Sequence, residues 1–563
     1  MQWIVTDPPE EKKLRELAES LKVPKVIARV LLNRGIESYG LAEKFFRPKW
    51  EDLYDPFLMK DMEKAAERVI SAIKQKERIF VYGDYDVDGV TAVSLLYLFL
   101  RKLGSEVFFY IPDRLQEGYG LSKAGIQYAA NVDAGLLISV DCGITGVEEV
   151  AMARELGIDV IISDHHEPGE KLPTAIAILD PKREGCPYPF KELAGVGVAY
   201  KLIQAVSEKL GLSEEIPREY VDLVALGSAA DIVPLVDENR VLVKKGLEKI
   251  NRLERIGIRA LVESSGLFGR KIGTGQIVFI LAPRINAVGR LGNAERAVRL
   301  LITDSDQQAR NIASILESEN RNRKNIDEET FQQAMELMES NFDPQSDRAV
   351  VLSHEGWHPG VIGIVASRIA EWAYRPTIMI AVEDGVGKGS ARSISNFDIY
   401  SAIKQCEKYL TAFGGHKYAA GLTIEPDKID AFREEFKKIA AEMLKDEGLV
   451  QTLRVDAEIN LSEITDKMVR LLNEFAPFGP QNMRPVFLSR NLQVVGTPRI
   501  VGKNHLKFKV RQGGVVYDAI GFDLGSLFYR LTPGEDNLDM IYVAEENHWN
   551  GQGKIQLRVK DLR

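Results

Sequence analysis

Tyr82-Gly83-Asp84-Tyr85-Asp86-Val87-Asp88-Gly89 lies between a short apolar run, Arg78-Ile79-Phe80-Val81, and a long one, residues 90–103 (VTAVSLLYLFLRKL). The first run is bounded by charge and reads as a strand. The second has the length and composition of a buried helix. Three carboxylates, Asp84, Asp86 and Asp88, thus occupy the turn from strand to helix. On an extended backbone their i, i+2, i+4 spacing points all three the same way. Like charges packed this closely raise each other's pKa unless a cation neutralises them. Carboxylate oxygens suit Mg²⁺ or Mn²⁺, so the octet reads as a metal-binding turn. The alternative is an acidic surface loop, and residues further along the chain decide between the two.

After the octet, apolar runs and helical patterns alternate, the mark of a mostly parallel sheet. Runs at 107–111, 136–140, 160–163 and 176–179 end in Pro112-Asp113-Arg114, Asp141-Cys142-Gly143, Asp164-His165-His166 and Asp180-Pro181. Each polar group follows its run, at the carboxyl end of the strand, where open parallel sheets bind ligands. Asp84, Asp86, Asp88, Asp141, His165 and His166 are therefore expected to converge. Asp141 has a competing use as a helix cap, and Asp164 as the hydrogen-bond partner of a ligating histidine. Adjacent histidines diverge, so one is expected to ligate metal and the other to face substrate. Cys142 reads as a small packed residue. Asp231 lies in the apolar stretch 221–235 (VDLVALGSAADIVPL), where a buried carboxylate needs a partner: a cap, an arginine or a metal.

Bulk properties narrow the function. A chain of 563 residues exceeds one hydrophobic core, and roughly three to five domains are expected. Apolar residues make up 45% and charged residues 28%, as in soluble globular proteins. The opening MQWIVTDPPEEKK does not read as a secretion signal, and the apolar runs are too short for a membrane span. Cys142, Cys186 and Cys406 follow no pairing or metal spacing, so a reducing cytoplasm is the expected location. A net charge of −9 argues against coating nucleic acid by bulk charge and leaves room for a local basic groove.

Residues 1–49 read as a small helical element. Arg284 and Arg290 fall in a Pro/Gly-punctuated stretch, read as a loop whose guanidinium groups can grip phosphates. A long helix over 309–337 carries Arg321-Asn322-Arg323-Lys324, read mainly as a solvated face. A second α/β unit follows, with glycine-rich turns around Ser390 and Arg392 and at Gly414-Gly415-His416, of the kind that brings backbone N–H groups close to an anion. From about residue 450 short alternating strands, separated by turns such as 511–514 and 550–553, fit a small barrel. There Lys503, His505, Lys507, Phe508 and Lys509 interleave basic and aromatic residues, which suits stacking and backbone contacts to single strands. A lysine-guarded edge strand has the same pattern.

Together GDYDVDG, VDCG, SDHH and GSAADIVPL resemble the DHH phosphoesterase superfamily in order and spacing, with no ligand position missing. Over essentially the whole length the chain is similar to that superfamily's single-strand-specific 5′→3′ DNA exonucleases. The resemblance implies an α/β multidomain architecture. A parallel-sheet DHH catalytic domain (50–300) is followed by a connecting helix (301–345), an α/β DHHA1 domain (346–447) and a C-terminal OB-fold β-barrel (448–563). It implies two divalent ions, held by Asp84, Asp86, Asp88, Asp141, His165 and Asp231 with Asp141 shared, and His166 steadying the phosphate. The mix of imidazole and carboxylates favours Mn²⁺ over Mg²⁺. Arg114, Arg284, Arg290, Ser390, Arg392, Gly414, Gly415 and His416 are expected to hold substrate phosphates, and Lys503, Lys507, Phe508 and Lys509 the strand beyond. The implied partners are single-stranded DNA, a helicase and a single-strand-binding protein, acting in recombination and repair on a monomer with no membrane association. Two rivals are a DHH phosphodiesterase of oligonucleotides or cyclic dinucleotides, which generally lacks the N-terminal element and barrel, and a non-catalytic replication scaffold, which loses metal ligands.

Overall fold

The computed structural model describes residues 1–114, 116–547 and 553–563. The chain opens with a strand, β1 (Gln2–Val5), and three helices within residues 11–46. Five apolar runs then form a parallel sheet: β2 (Arg78–Gly83), β3 (Val107–Tyr110), β4 (Ala134–Val140), β5 (Asp159–Ser163) and β6 (Ala177–Leu179). Their order across the sheet is β3-β2-β4-β5-β6. Alternate residues of β2 serve opposite faces, as the two-residue period requires. Ile79 and Val81 pack with the helices Val87–Lys102, Gly195–Lys209 and Val221–Ala230. Phe80 and Tyr82 pack with Lys123–Asn131 and Val147–Glu155. The helix after β2 thus lies on one face and the helix after β4 on the other. Strand order reverses between these two neighbours, which opens a crevice at their carboxyl ends.

The stretch around Arg284 and Arg290, expected as a loop, is helical. A π-helical turn, Ile277–Leu281, runs into the helix Ala282–Leu291. Pro283 does not break it because proline is tolerated in a first helical turn, where its missing N–H is no loss. A 36-residue helix, Asp306–Asn341, leads to a second sheet. That sheet contains β7 (Val350–His354), β8 (Thr377–Glu383), β9 (Val386–Arg392), β10 (Leu410–His416) and β11 (Ala419–Ile424), ordered β10-β11-β9-β8-β7. The helix Ile362–Ala373 covers one face, and Ile399–Gln405 with Ile429–Met443 cover the other.

The remaining strands are β12 (Thr452–Val455), β13 (Ala457–Glu458), β14 (Phe487–Val501), β15 (His505–Gln512), β16 (Val515–Gly521), β17 (Asp536–Asn547) and β18 (Lys554–Leu562). Pairing runs β14-β15-β16-β18-β17 and returns from β17 to β14, closing a five-stranded barrel. The helices expected within residues 1–49 form, with β1 ahead of them. Leu14, Ile27, Leu31 and Ala42 share one core with the barrel's Phe487, Leu506 and Tyr542, and β1 pairs in parallel with β12. The Trp3 indole N–H donates to Asp561 (2.8 Å), and Arg563 donates to the Met1 carbonyl (2.7 Å). Among the described residues no helix is long and apolar enough to cross a membrane. The turn expected at 550–553 lies, but for Gly553, outside the described residues.

Phe508 also departs from expectation. Leu506, Phe508 and Val510 point into the barrel core while Lys507 and Lys509 face outward. The strand's two-residue period separates the aromatic ring from the lysines it alternates with. Phe508 is thus a core residue and offers no stacking surface. Phe508→Ala is expected to destabilise the barrel by about 3–5 kcal/mol, whereas Lys509→Ala leaves it nearly unchanged, as read by urea unfolding of the full chain.

Candidate metal centre

The crevice between β2 and β4 gathers the carboxylates. Asp84 leaves β2, and Asp86 caps the next helix, its Oδ1 accepting from the N–H groups of Asp88 (2.9 Å) and Gly89 (3.1 Å). The octet is therefore not extended throughout: Asp88 already sits in the first helical turn. Its two oxygens accept from the N–H groups of Gly195 (2.6 Å) and Val196 (2.9 Å), at the start of the helix Gly195–Lys209. A helix N-terminus is where negative charge is best tolerated. Asp141 follows β4 with φ of 58° and caps no helix, since Val147–Glu155 begins after Gly146. Gly195 must be glycine here, because a Cβ would lie 2.6 Å from the Asp141 Cβ. Asp231 closes the helix Val221–Ala230. Among the described residues no arginine pairs with it; Asp222, at the other end of that helix, takes Arg255 (2.7 Å).

The paired histidines divide their roles. Asp164 is fully buried and accepts from the N–H groups of Ile144 (2.9 Å) and His165 (2.7 Å) and from His166 Nδ1 (2.7 Å). Burial pushes its carboxyl up, but the hydrogen bond and charge of His166 outweigh that and bring it to about 2. Burial opposes the charge on His166, yet Asp164 raises it to about 9. Burial, then the charge of His166, lowers His165 to about 3. His165 is thus neutral, with Nε2 3.1 Å from Asp141 Oδ1 and 3.8 Å from both Asp88 Oδ2 and Asp231 Oδ2. Among the described residues Asp84 Oδ1, Asp141 Oδ1 and His165 Nε2 are buried without a hydrogen-bond partner. Buried polar atoms rarely stay unpaired, and these three are carboxylate and imidazole donors of the kind that bind Mn²⁺ or Mg²⁺.

Ligand atoms gather within 4.8 Å of one another in three sets: Asp84, Asp86 and Asp141; Asp88, His165 and Asp231; and Asp141, His165 and His166. Burial, then the charges of neighbouring carboxylates, pushes Asp84, Asp141 and Asp231 well above the usual carboxylate range and Asp88 to about 7. The cluster is short of positive charge. Asp180, at the end of β6, stays out of these sets and accepts from the Lys182 N–H (2.7 Å).

A cationic cleft adjoins the cluster. Arg114, Ser390, Arg392 and Gly415 line it together with Gly363 and Lys388. The Arg114 guanidinium lies over the Tyr85 ring (5.0 Å), and Arg392 donates to Ser390 Oγ (3.2 Å). Arg290 donates to the Gly360 carbonyl (3.1 Å); burial, then the charges of Arg114 and Arg392, lowers it to about 9. His416 and Gly414 are on the exposed hairpin of β10 and β11. Burial and the charge of Arg392 lower the His416 pKa.

Arg284 does not join the cleft. It is buried, ion-paired with Glu317 (2.6 Å), and ties its helix to Asp306–Asn341. Two participants escaped the sequence reading. The Tyr119 hydroxyl is 3.0 Å from His166 Nδ1 and 3.3 Å from the Asp141 carbonyl; its only sequence signal is a tyrosine between two glycines shortly after Arg114. Gly363 is the second residue of the helix Ile362–Ala373, and a Cβ there would lie 2.8 Å from Ser390 Oγ and 3.0 Å from Arg392 Nη2.

Residues 78–228 match the DHH family N-terminal domain, 346–442 the DHHA1 domain and 455–561 the RecJ OB domain. The single-stranded-DNA-specific exonuclease RecJ of Bacillus subtilis is 39% identical over 564 residues, covering 100% of this chain and 70% of that protein. The crystal structure of Thermus thermophilus RecJ with Mn²⁺ is 32% identical, with a TM-score of 0.86 over 100% of this chain and 79% of that one. Its complex with Mg²⁺ gives 30% identity and a TM-score of 0.80, covering 100% of this chain and 78% of that one. With DHH, DHHA1 and RecJ OB domains matched in succession and the identity running its full length, the chain belongs to the RecJ family of single-stranded-DNA-specific exonucleases.

Proposed function

We propose that this protein is a metal-dependent exonuclease that releases 5′-mononucleotides from single-stranded DNA in the 5′→3′ direction, in recombination and repair. The observation that carries this reading is the juxtaposition of an anionic cluster of orphaned ligand atoms with a cationic cleft from the second sheet. Asp84, Asp86 and Asp141 would hold one divalent ion, and Asp88, His165 and Asp231 a second, with Asp141 between them. Mn²⁺ is preferred over Mg²⁺ because an imidazole joins the carboxylates. When bound, such ions supply Lewis acidity and lower the pKa of water toward neutrality.

The chain's own residues bind and orient the substrate. His166, kept protonated by Asp164, donates to a phosphoryl oxygen. Arg392, Ser390 and Arg114 grip the phosphate in the cleft, where charge-assisted hydrogen bonds are the strong ones. No protein base is required. Lys503, Lys507 and Lys509, on the outer surface of the barrel, contact the strand beyond the cleft. A helicase and a single-strand-binding protein supply the strand to a cytoplasmic monomer. Because the protein as a whole carries a charge of −9, its grip is local and its salt dependence shallow.

Digestion of 5′-labelled and 3′-labelled single strands with Mn²⁺ tests this. The wild type should release mononucleotides from the 5′ end and Asp141→Ala should release none; activity confined to fragments of a few nucleotides would favour the oligonucleotide phosphodiesterase. Arg392→Met should raise KM about 10–100-fold, equivalent to losing one hydrogen bond to a charged group, and leave Mn²⁺ affinity unchanged in calorimetry. Raised carboxylate pKa values mean that protons must leave before an ion enters. Mn²⁺ affinity should therefore rise between pH 6 and 8, with proton release, and chelation should lower the melting temperature.

A further inference from the structure

Asp231 is held in place from the far end of the chain. It closes the helix Val221–Ala230, and the next residue, Ile232, has a φ of 62°. A β-branched residue in the left-handed region is an outlier, disfavoured about 5–30-fold against ordinary backbone. Such a conformation persists only where its surroundings impose it. The Ile232 side chain is 57% exposed and imposes nothing. The restraint lies just beyond it. The Pro234 carbonyl accepts from the buried Asn239 amide (3.0 Å), and the Leu235 N–H donates to the Pro480 carbonyl (2.9 Å).

Pro480 belongs to the barrel domain. Residues 475–484 (FAPFGPQNMR) connect the helix Asp466–Asn473 to β14. Asn482, only 1% exposed, fixes the shape of this loop. Its side-chain amide donates to the carbonyls of Phe475 and Pro477 (both 2.8 Å), and its backbone exchanges hydrogen bonds with Gly479 (2.9 and 3.2 Å). Gly479 lies so close to Leu235 that a Cβ would come within 2.6 Å of the Leu235 Cδ1. Beside that contact Arg240 donates to the Phe475 carbonyl (3.0 Å), and the Thr274 hydroxyl to that of Phe478 (2.7 Å). A loop shaped by its own hydrogen bonds is thus seated on the DHH domain, a few residues along the chain from a ligand.

We propose, on the two-ion reading of the cluster, that Asn482 is a positioning residue for the metal centre. By fixing the loop that anchors Leu235, it keeps Ile232 in its left-handed conformation and holds Asp231 against His165 and Asp88. The barrel domain thereby sets the affinity for the ion of Asp88, His165 and Asp231 and leaves the ion of Asp84, Asp86 and Asp141 unaffected.

Calorimetric titration of the full chain with Mn²⁺ tests this, with Asp231→Asn identifying the binding event that its carboxylate supports. In Asn482→Ala that event weakens about tenfold, within the range usual when a ligand loses its support, and the other event is unchanged. The Mn²⁺ concentration for half-maximal exonuclease activity rises by the same factor. Thr274→Val, which removes one hydrogen bond from the loop, weakens the same event less. Phe508→Leu, which loosens the barrel core without removing a loop hydrogen bond, shifts neither. Equal weakening of both events in Asn482→Ala, or weakening of either in Phe508→Leu, would make Asn482 a general brace and overturn the proposal. So would an unchanged titration of Asn482→Ala alongside a lowered melting temperature. Should Asn482→Ala fail to fold, Asn482→Ser and Thr274→Val decide, each being expected to shift the same event in the same sense. A wild type that binds a single ion defeats the two-ion reading and the proposal with it; two wild-type events that are both unchanged in Asn482→Ala defeat the proposal alone.

Discussion

Mutual repulsion of buried carboxylates is the constraint on which this molecule is built. Asp84, Asp88 and Asp141 are almost wholly buried at the carboxyl ends of two adjacent strands. The protein can hold them there only by surrounding them with N–H groups or by leaving room for cations. It does both. The start of the helix Gly195–Lys209 satisfies Asp88, and Asp86 spends one oxygen on its own helix. One oxygen each of Asp84 and Asp141 is left unsatisfied beside an unpaired imidazole nitrogen. The reversal of strand order between β2 and β4 provides the crevice, and a glycine at 195 lets a helix approach to contact distance.

The opposite sign is concentrated across the way. Arg114 from the loop after β3 and Arg392 from β9 face a cleft adjoining the anionic cluster, and Arg290 feels the charge of both. A phosphate spanning the two regions would relieve both imbalances at once. An acidic protein can therefore bind a polyanion, because in a narrow site local charge outweighs the total.

Much of this was legible in the sequence, for a physical reason. A parallel sheet sends every strand's carboxyl end to one edge, so Asp84, Asp141 and His165 could be gathered without knowing strand order. The barrel strands announced themselves by two-residue alternation. Other features had no local signature. The same alternation that marked β15 as a strand buries Phe508, so reading its neighbours as one basic and aromatic patch combined two faces. Arg284 and Arg290 share a helix, yet one is held by Glu317 and the other reaches the Gly360 carbonyl just before the helix Ile362–Ala373; only packing distinguishes them. Pairing between β1 and β12, and the approach of Tyr119 to His166, join residues whose proximity no short-range pattern encodes.

The pairing of β1 with β12 has a mechanical consequence. β1 pairs with β12, and Trp3 and Met1 meet Asp561 and Arg563. Tension applied between the termini is carried by this clasp and by the barrel. The first sheet, the long helix and the second sheet lie within the arc from residue 6 to residue 451 and remain unloaded while the clasp holds. The metal crevice is thus mechanically insulated from a pull applied through Met1 and Arg563, which must first shear a four-residue parallel ladder.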